Sequence, residues 1–142
     1  MLEVPPYSWA SIDKTVPTNQ VTTIIFVGSN VSGYPGILHG GFLASLIDEV
    51  LARRAFPLLP SRVGATARLE INYERPAISG QLLMLKARST RAEGREVWAE
   101  AEILALGDLK EKSGLSNVLV RADGLSMEPK NSAIVESIYK AV

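Results

Sequence analysis

The feature that most narrows the fold of this chain is one apolar segment, GFLASLIDEVLARRAF at residues 41–56, closed by Pro57 and Pro60. Proline lacks a backbone donor and clashes with the preceding turn, so the segment reads as a helix that stops there. Phe42, Leu43, Ala44, Leu46, Ile47, Val50 and Leu51 cover most of its circumference, leaving only a narrow stripe of Gly41, Ser45, Asp48, Glu49 and Ala52. A helix apolar on so many sides is expected to be buried nearly all round. Something in the remaining chain must therefore wrap it.

The rest of the chain reads mainly as strands. Residues 21–28 (VTTIIFVG) are rich in β-branched side chains and run into a Gly/Ser/Asn turn. Residues 30–41 (NVSGYPGILHGG) read as a glycine-rich loop leading into the helix. Beyond the helix, residues 65–73 alternate, with Ala65, Ala67, Leu69, Ile71 and Tyr73 on one face and Thr66, Arg68, Glu70 and Asn72 on the other. Residues 81–90 and 96–106 follow, joined by a hairpin-like turn at 91–95. A polar stretch at 108–116 precedes a weaker strand at 118–127, and 131–142 reads as a short terminal helix. One helix and about five antiparallel strands predict an α+β domain whose sheet curls round the helix. With 142 residues and no linker or repeat, the whole chain, 1–142, is expected to form a single domain.

Composition removes several classes of function. There is no cysteine, which excludes disulfides, thiolate metal sites and a cysteine nucleophile. His39 is the only histidine, so no zinc site of two or three histidines can form, which leaves an all-carboxylate site open. Fifteen basic and fifteen acidic residues leave no net charge and hence no footprint for nucleic acid. No apolar stretch approaches the ~20 residues of a membrane span. The N-terminal residues resemble neither a secretory signal nor a transit peptide. The expectation is a soluble intracellular protein, cytoplasmic by default, or mitochondrial if an N-terminal segment is missing.

Chemistry concentrates at the start of the helix. A helix N-terminus offers unpaired N–H groups and the positive end of a dipole, and glycines let a substrate carbonyl approach closely. His39-Gly40-Gly41 thus reads as an oxyanion hole with the Gly40 and Gly41 N–H groups as donors, or more plainly as a flexible helix start. Glu49 has Arg53 four residues on, the favourable spacing for an ion pair. Asp48 has only Ala44 and Ala52 at those positions, and an unpartnered carboxylate in an apolar helix is costly unless something else satisfies it. Asp48 is the better candidate for a general base. Gly40 and Asp48 are eight residues apart, roughly 12 Å along one helix. Both can act on one carbonyl only if two chains pair, which predicts a dimer.

The segment GYPGILHGGFLASLIDEV, together with TARLEINYERP and TRAEGREVWAEAEI, resembles the hotdog-fold acyl-CoA thioesterases of the PaaI-like group. The likeness is nearest to fungal and animal proteins similar to thioesterase superfamily member four, and it covers roughly residues 21–106. It implies a long central helix wrapped by a curved antiparallel sheet of five or six strands, assembled as a homodimer or dimer of dimers. It also implies hydrolysis of acyl-CoA to free acid and CoA, without metal or cofactor. Carried over by motif, Gly40 donates to the thioester oxygen, and Asp48 activates water or attacks directly. Thr66 falls where relatives often place a Ser or Thr that positions the water, although alternation sets it opposite the apolar face. His39 joins this set by holding the loop rather than as a base. Gly33 stands where some relatives carry Asn or Gln, leaving that polarising role vacant. Gly41, Tyr34, Phe42 and Arg75 are candidate substrate contacts, and Phe56 is a further possible wall of an acyl pocket. Arg53, Arg54, Lys86, Arg91 and Arg95 complete a candidate basic rim for the CoA phosphates. The same fold also serves non-catalytic acyl-CoA binding modules and, less fittingly with one histidine, hydratases or dehydratases.

Overall fold

In the computed structural model, the described residues are 7–10, 20–106, 117–131, 137 and 140. The strands are β1 (Tyr7–Ala10), β2 (Gln20–Val27), β3 (Ser32–Tyr34), β4 (Ile37–Leu38), β5 (Ala65–Tyr73), β6 (Gln81–Glu93), β7 (Glu96–Ala105) and β8 (Val118–Met127). The helix α1 spans Gly40–Ala55. Six strands form one antiparallel sheet in the order β1-β2-β6-β7-β8-β5, and β3 and β4 form a separate small hairpin. The polar stretch at 108–116 and most of the expected terminal helix at 131–142 lie outside the described residues.

The helix touches β2, β6, β7, β8 and β5, with its main contacts on β6 and β7. Five flat strands span about 19 Å between the outermost pair at their usual spacing, wider than one ~10 Å helix can reach. The sheet therefore curls round the helix, which is the hotdog arrangement. Leu43, Ile47, Val50 and Leu51 meet Ile25, Val27, Leu83, Leu85, Ile103 and Val120 in the principal core. Along β7 every second residue, from Val97 to Ala105, is buried against the helix side, while Trp98, Glu100, Glu102 and Leu104 face outward. The alternation read from the sequence holds there without a break.

Three expectations are corrected. The helix is not buried nearly all round within one chain, because Gly41, Ser45, Glu49 and Arg53 form an exposed row at four-residue spacing. The 30–41 segment overlaps a short 3-10 turn (Ser29–Val31) and contains the β3–β4 hairpin. Glycines at 33 and 36, the latter at φ 79°, had masked its strand character. Finally, β5 does not alternate regularly. Thr66 pairs with Ser126 and Arg68 pairs with Leu125, so Ala67 is an extra residue in a bulge. A bulge shifts side-chain facing on one side of it by one position. Ser126, Gly124, Ala122 and Val120 form the inner row of β8. Thr66 consequently joins Leu69 and Ile71 on the helix-facing side, not the opposite one.

Candidate active site

The entry to α1 is built by backbone hydrogen bonds before any side chain acts. Leu38 N donates to Ala77 O (2.8 Å) and His39 N donates to Val31 O (2.9 Å), tying the chain down on both sides just before the helix. His39 is the N-cap residue with an extended backbone, and its Nδ1 accepts from Gly41 N at 2.9 Å. Phe42 N and Leu43 N both donate to His39 O, at 3.0 and 3.2 Å. Of the first four helical N–H groups, three are thereby satisfied. Gly40 N alone makes no hydrogen bond among the described residues. The pair of expected oxyanion donors thus narrows to one. Gly41 is a structural partner of His39, and its N–H is not open to substrate.

This cap also defines the histidine. A ring nitrogen that accepts must be unprotonated, so His39 carries its proton on Nε2 when it caps the helix. Gly33 backs the ring closely: a Cβ at that position would sit 3.0 Å from His39 Cδ2 and 3.2 Å from its Cα. Any side chain at position 33 would therefore crowd His39.

Asp48 lies two turns further along, half-buried on the side of α1 that faces β5. The exposed Thr66 hydroxyl donates to Asp48 Oδ1 at 2.6 Å, across eighteen residues of sequence. That bond supplies the partner the helix itself lacks, and it leaves Oδ2 and the threonine lone pairs available for water. Glu49, by contrast, is engaged by Arg53 at 2.9 Å in the pair its spacing predicted. Tyr73, which sequence reasoning placed only in a strand face, reaches the same region: its hydroxyl donates to Gly40 O at 2.7 Å. Its register with Leu69 and Ile71 was readable, but its partner was not.

The remaining candidates are less closely tied to these groups. Tyr34 is 72% exposed on the small hairpin, and Phe42 is half-buried against the principal core. Phe56 belongs to a separate cluster with Ala55, Leu59 and Val97. Neither Tyr34 nor Arg75 has a side-chain hydrogen bond to Gly40, Asp48 or Thr66 among the described residues. Within the basic rim, Arg54 donates to Ser89 Oγ, Arg91 lies over the Trp98 ring and pairs with Glu93, and Arg95 donates to Glu128 O. Partial burial also lowers the Arg54 pKa from its ordinary value, by desolvation. Arg75 and Lys86 have no ion-pair partner among the described residues.

Cavities among the described residues lie elsewhere. One of about 290 Å³ sits on the outer face of the sheet among Lys86, Arg88, Glu100, Glu102, Arg121 and Asp123. One of about 180 Å³ lies between α1 and β2, lined by Thr23, Ile25, Leu46, Val50 and Leu85. Neither is lined by Gly40, Asp48 or Thr66. Gly40 and Asp48 are half-buried and Thr66 is exposed. Among the described residues no cluster of three His, Cys, Asp or Glu side chains is placed to hold a metal ion, and no helix is long and apolar enough to cross a membrane.

The fold and this constellation define a class. Residues 35–111 match the thioesterase superfamily model, just over half of the chain, and the chain belongs to that superfamily. An uncharacterized protein of Schizosaccharomyces pombe is 32% identical over 112 residues, covering 79% of this chain and 62% of that protein. The protein named acyl-coenzyme A thioesterase THEM4 of Bos taurus is 25% identical over 96 residues, covering 68% of this chain and 38% of that protein. The PaaI protein of the E. coli phenylacetic acid degradation operon superposes with a TM-score of 0.62 at 17% identity, over 77% of this chain and 72% of that one. That likeness carries the fold alone. The chain spans about half the length of the curated relatives it matches.

Proposed function

We propose that this chain hydrolyses acyl-CoA thioesters at a site shared between two copies of itself. The observation that carries the reading is that one helix bears both an open N–H at its start, on Gly40, and a carboxylate oriented by a hydroxyl, Asp48 with Thr66. The Gly40 N–H, at the positive end of the helix dipole, stabilises the oxyanion that develops on the thioester oxygen. Asp48 takes a proton from water, or attacks the carbonyl carbon itself and is then released by water. In either route the C–S bond breaks, water oxygen ends on the carboxylic acid, and the CoA sulfur leaves as the thiol. Thr66 holds Oδ1 so that Oδ2 faces the reacting atoms. Arg75, two residues past Tyr73 and without an ion-pair partner among the described residues, is placed in this reading to meet a CoA phosphate.

Gly40 and Asp48 stand about 12 Å apart along α1, too far for one carbonyl to reach both. A second copy resolves this if its Asp48 faces the first copy's Gly40. The β5 edge supports such pairing. Among the described residues it has β8 on one side and no strand on the other, and a nine-residue open edge is a template for association. The exposed row of α1, Gly41, Ser45, Glu49 and Arg53, fits the same reading.

The test is release of free CoA thiol from a panel of acyl-CoAs by the wild type and Asp48→Asn. The expected result is turnover by the wild type and a loss of about a hundredfold or more in kcat for the variant, the usual scale for a positioned base. Equal turnover by both proteins removes Asp48 from the mechanism. Binding of acyl-CoA without turnover by either establishes a binding module in place of an enzyme.

A further inference from the structure

Strand β5 holds the helix at two points, and only one of them is explained by the reading above. At one end Thr66 meets Asp48. At the other, the Tyr73 hydroxyl donates to Gly40 O at 2.7 Å, and its ring lies 3.5 Å from where a Cβ on Gly40 would stand. Tyr73 is 52% exposed, so its ring gains little by burial, and the hydroxyl has a defined partner.

The carbonyl of Gly40 and the N–H of Gly41 are the two ends of a single peptide unit. Tyr73 binds the first end and His39 Nδ1 the second, at 2.9 Å. Hydrogen bonds in series strengthen one another, so each contact reinforces the other through the amide between them. Two consecutive glycines leave this backbone the widest conformational freedom of any pair. A peptide unit held at both ends removes that freedom, and the unit just before it carries the open N–H of Gly40.

We infer that Tyr73 is a positioning residue that, together with His39, clamps the Gly40–Gly41 peptide and so aims the Gly40 N–H at the substrate oxygen. Its kinetic consequence rests on the thioesterase reading; its geometry does not. The hydroxyl touches neither substrate nor reacting atoms. It acts through the backbone.

The experiment compares the wild type with Tyr73→Phe, which removes one oxygen and keeps the ring. Three quantities are read: kcat and KM for acyl-CoA hydrolysis, the thermal midpoint, and the amide resonance of Gly41 in a ¹⁵N-glycine-labelled protein. The expected loss in kcat is about tenfold, the equivalent of one neutral hydrogen bond. KM should stay within about twofold, since an interaction realised in the transition state leaves substrate binding intact. The midpoint should stay within about 3 °C, and the Gly41 amide proton should move upfield as its bond to His39 loosens. His39→Ala combined with Tyr73→Phe should cost less than the product of the single losses, because both act on one peptide unit.

An unmoved Gly41 resonance overturns the inference, as does an unchanged kcat in an active enzyme or a loss confined to KM. A drop in kcat that only follows a falling thermal midpoint overturns it too. If the wild type releases CoA from no acyl-CoA, the thioesterase reading fails, and the Gly41 resonance decides by itself whether Tyr73 clamps the peptide.

Discussion

The Thr66 hydroxyl donates to Asp48 Oδ1 at 2.6 Å although strict alternation along β5 sets that threonine on the face away from the helix. The bulge at Ala67 is what brings the two together. A hydrogen bond to a carboxylate contributes about 1.5–3 kcal/mol when fully engaged, less where water competes, as it does at this exposed threonine. Thr66→Val should therefore lower kcat roughly tenfold, while Thr66→Ser should keep most of the activity. Steady-state kinetics on the two variants check this, and equal rates for both would remove the hydroxyl from the mechanism.

The histidine cap makes a separate, structural prediction. His39→Ala removes the acceptor for Gly41 N–H and should cost about 1 kcal/mol, as side-chain caps do. For a chain of this size that is a fall in thermal midpoint of roughly 3 °C. Asn at the same position can accept from the first turn, so His39→Asn should recover most of it. Gly33→Ala should also destabilise, by about 1 kcal/mol or more, because its Cβ would meet the His39 backbone at 3.2 Å and not only the ring. Thermal unfolding of the three variants gives the ranking.

A site shared between chains can be tested by complementation. Gly40→Pro deletes the open N–H at the first helical position, where proline is well tolerated, and Asp48→Asn disables the carboxylate. Each variant alone should be nearly inactive. Mixed after unfolding and refolding together, they should recover about a quarter of wild-type activity, since half the two-fold dimers are mixed and each mixed dimer holds one intact site. No recovery, with mixed dimers verified by mass, would place both groups in one chain and sink the shared site.

Arg75 should matter for the CoA moiety and not for the thioester. Arg75→Ala is expected to raise KM for acyl-CoA several-fold, roughly the worth of one charge-assisted contact at a partly exposed site, with kcat unchanged. The effect should shrink in high salt. An acyl-pantetheine substrate, which lacks the nucleotide phosphates, should show no difference between the two proteins. An equal rise for both substrates argues that Arg75 supports the fold instead.

Much of the architecture was legible because burial imposes a period. The helix, the clean alternation of β7 and the Glu49–Arg53 pair all follow from which side chains must avoid water and which neighbours lie four residues apart. The β3–β4 hairpin was not legible, since its glycines carry no pattern of burial to read. Gly41, Ser45 and Glu49 of the exposed row on α1 were legible as a polar stripe, but its width was not, because the apolar residues at its flanks are only half-buried within one chain.

At the start of the helix the division is sharper. The sequence by itself determined that His39, Gly40 and Gly41 open an apolar helix carrying an Asp48 with no partner along that helix, because capping, glycine freedom and the cost of a lone carboxylate are local properties. Which donor stays open was settled by the conformation of the cap, which a residue pattern leaves open: His39 Nδ1 folds back to accept from Gly41 N, and Gly40 N makes no hydrogen bond among the described residues. Only the tertiary structure gave Asp48 its partner, because a bulge is a property of two strands in register and not of either alone. The contact of Tyr73 with Gly40 joins residues thirty-three apart. No period along the chain encodes such a meeting, which arises when a curved sheet brings the end of one strand against the beginning of the helix it wraps.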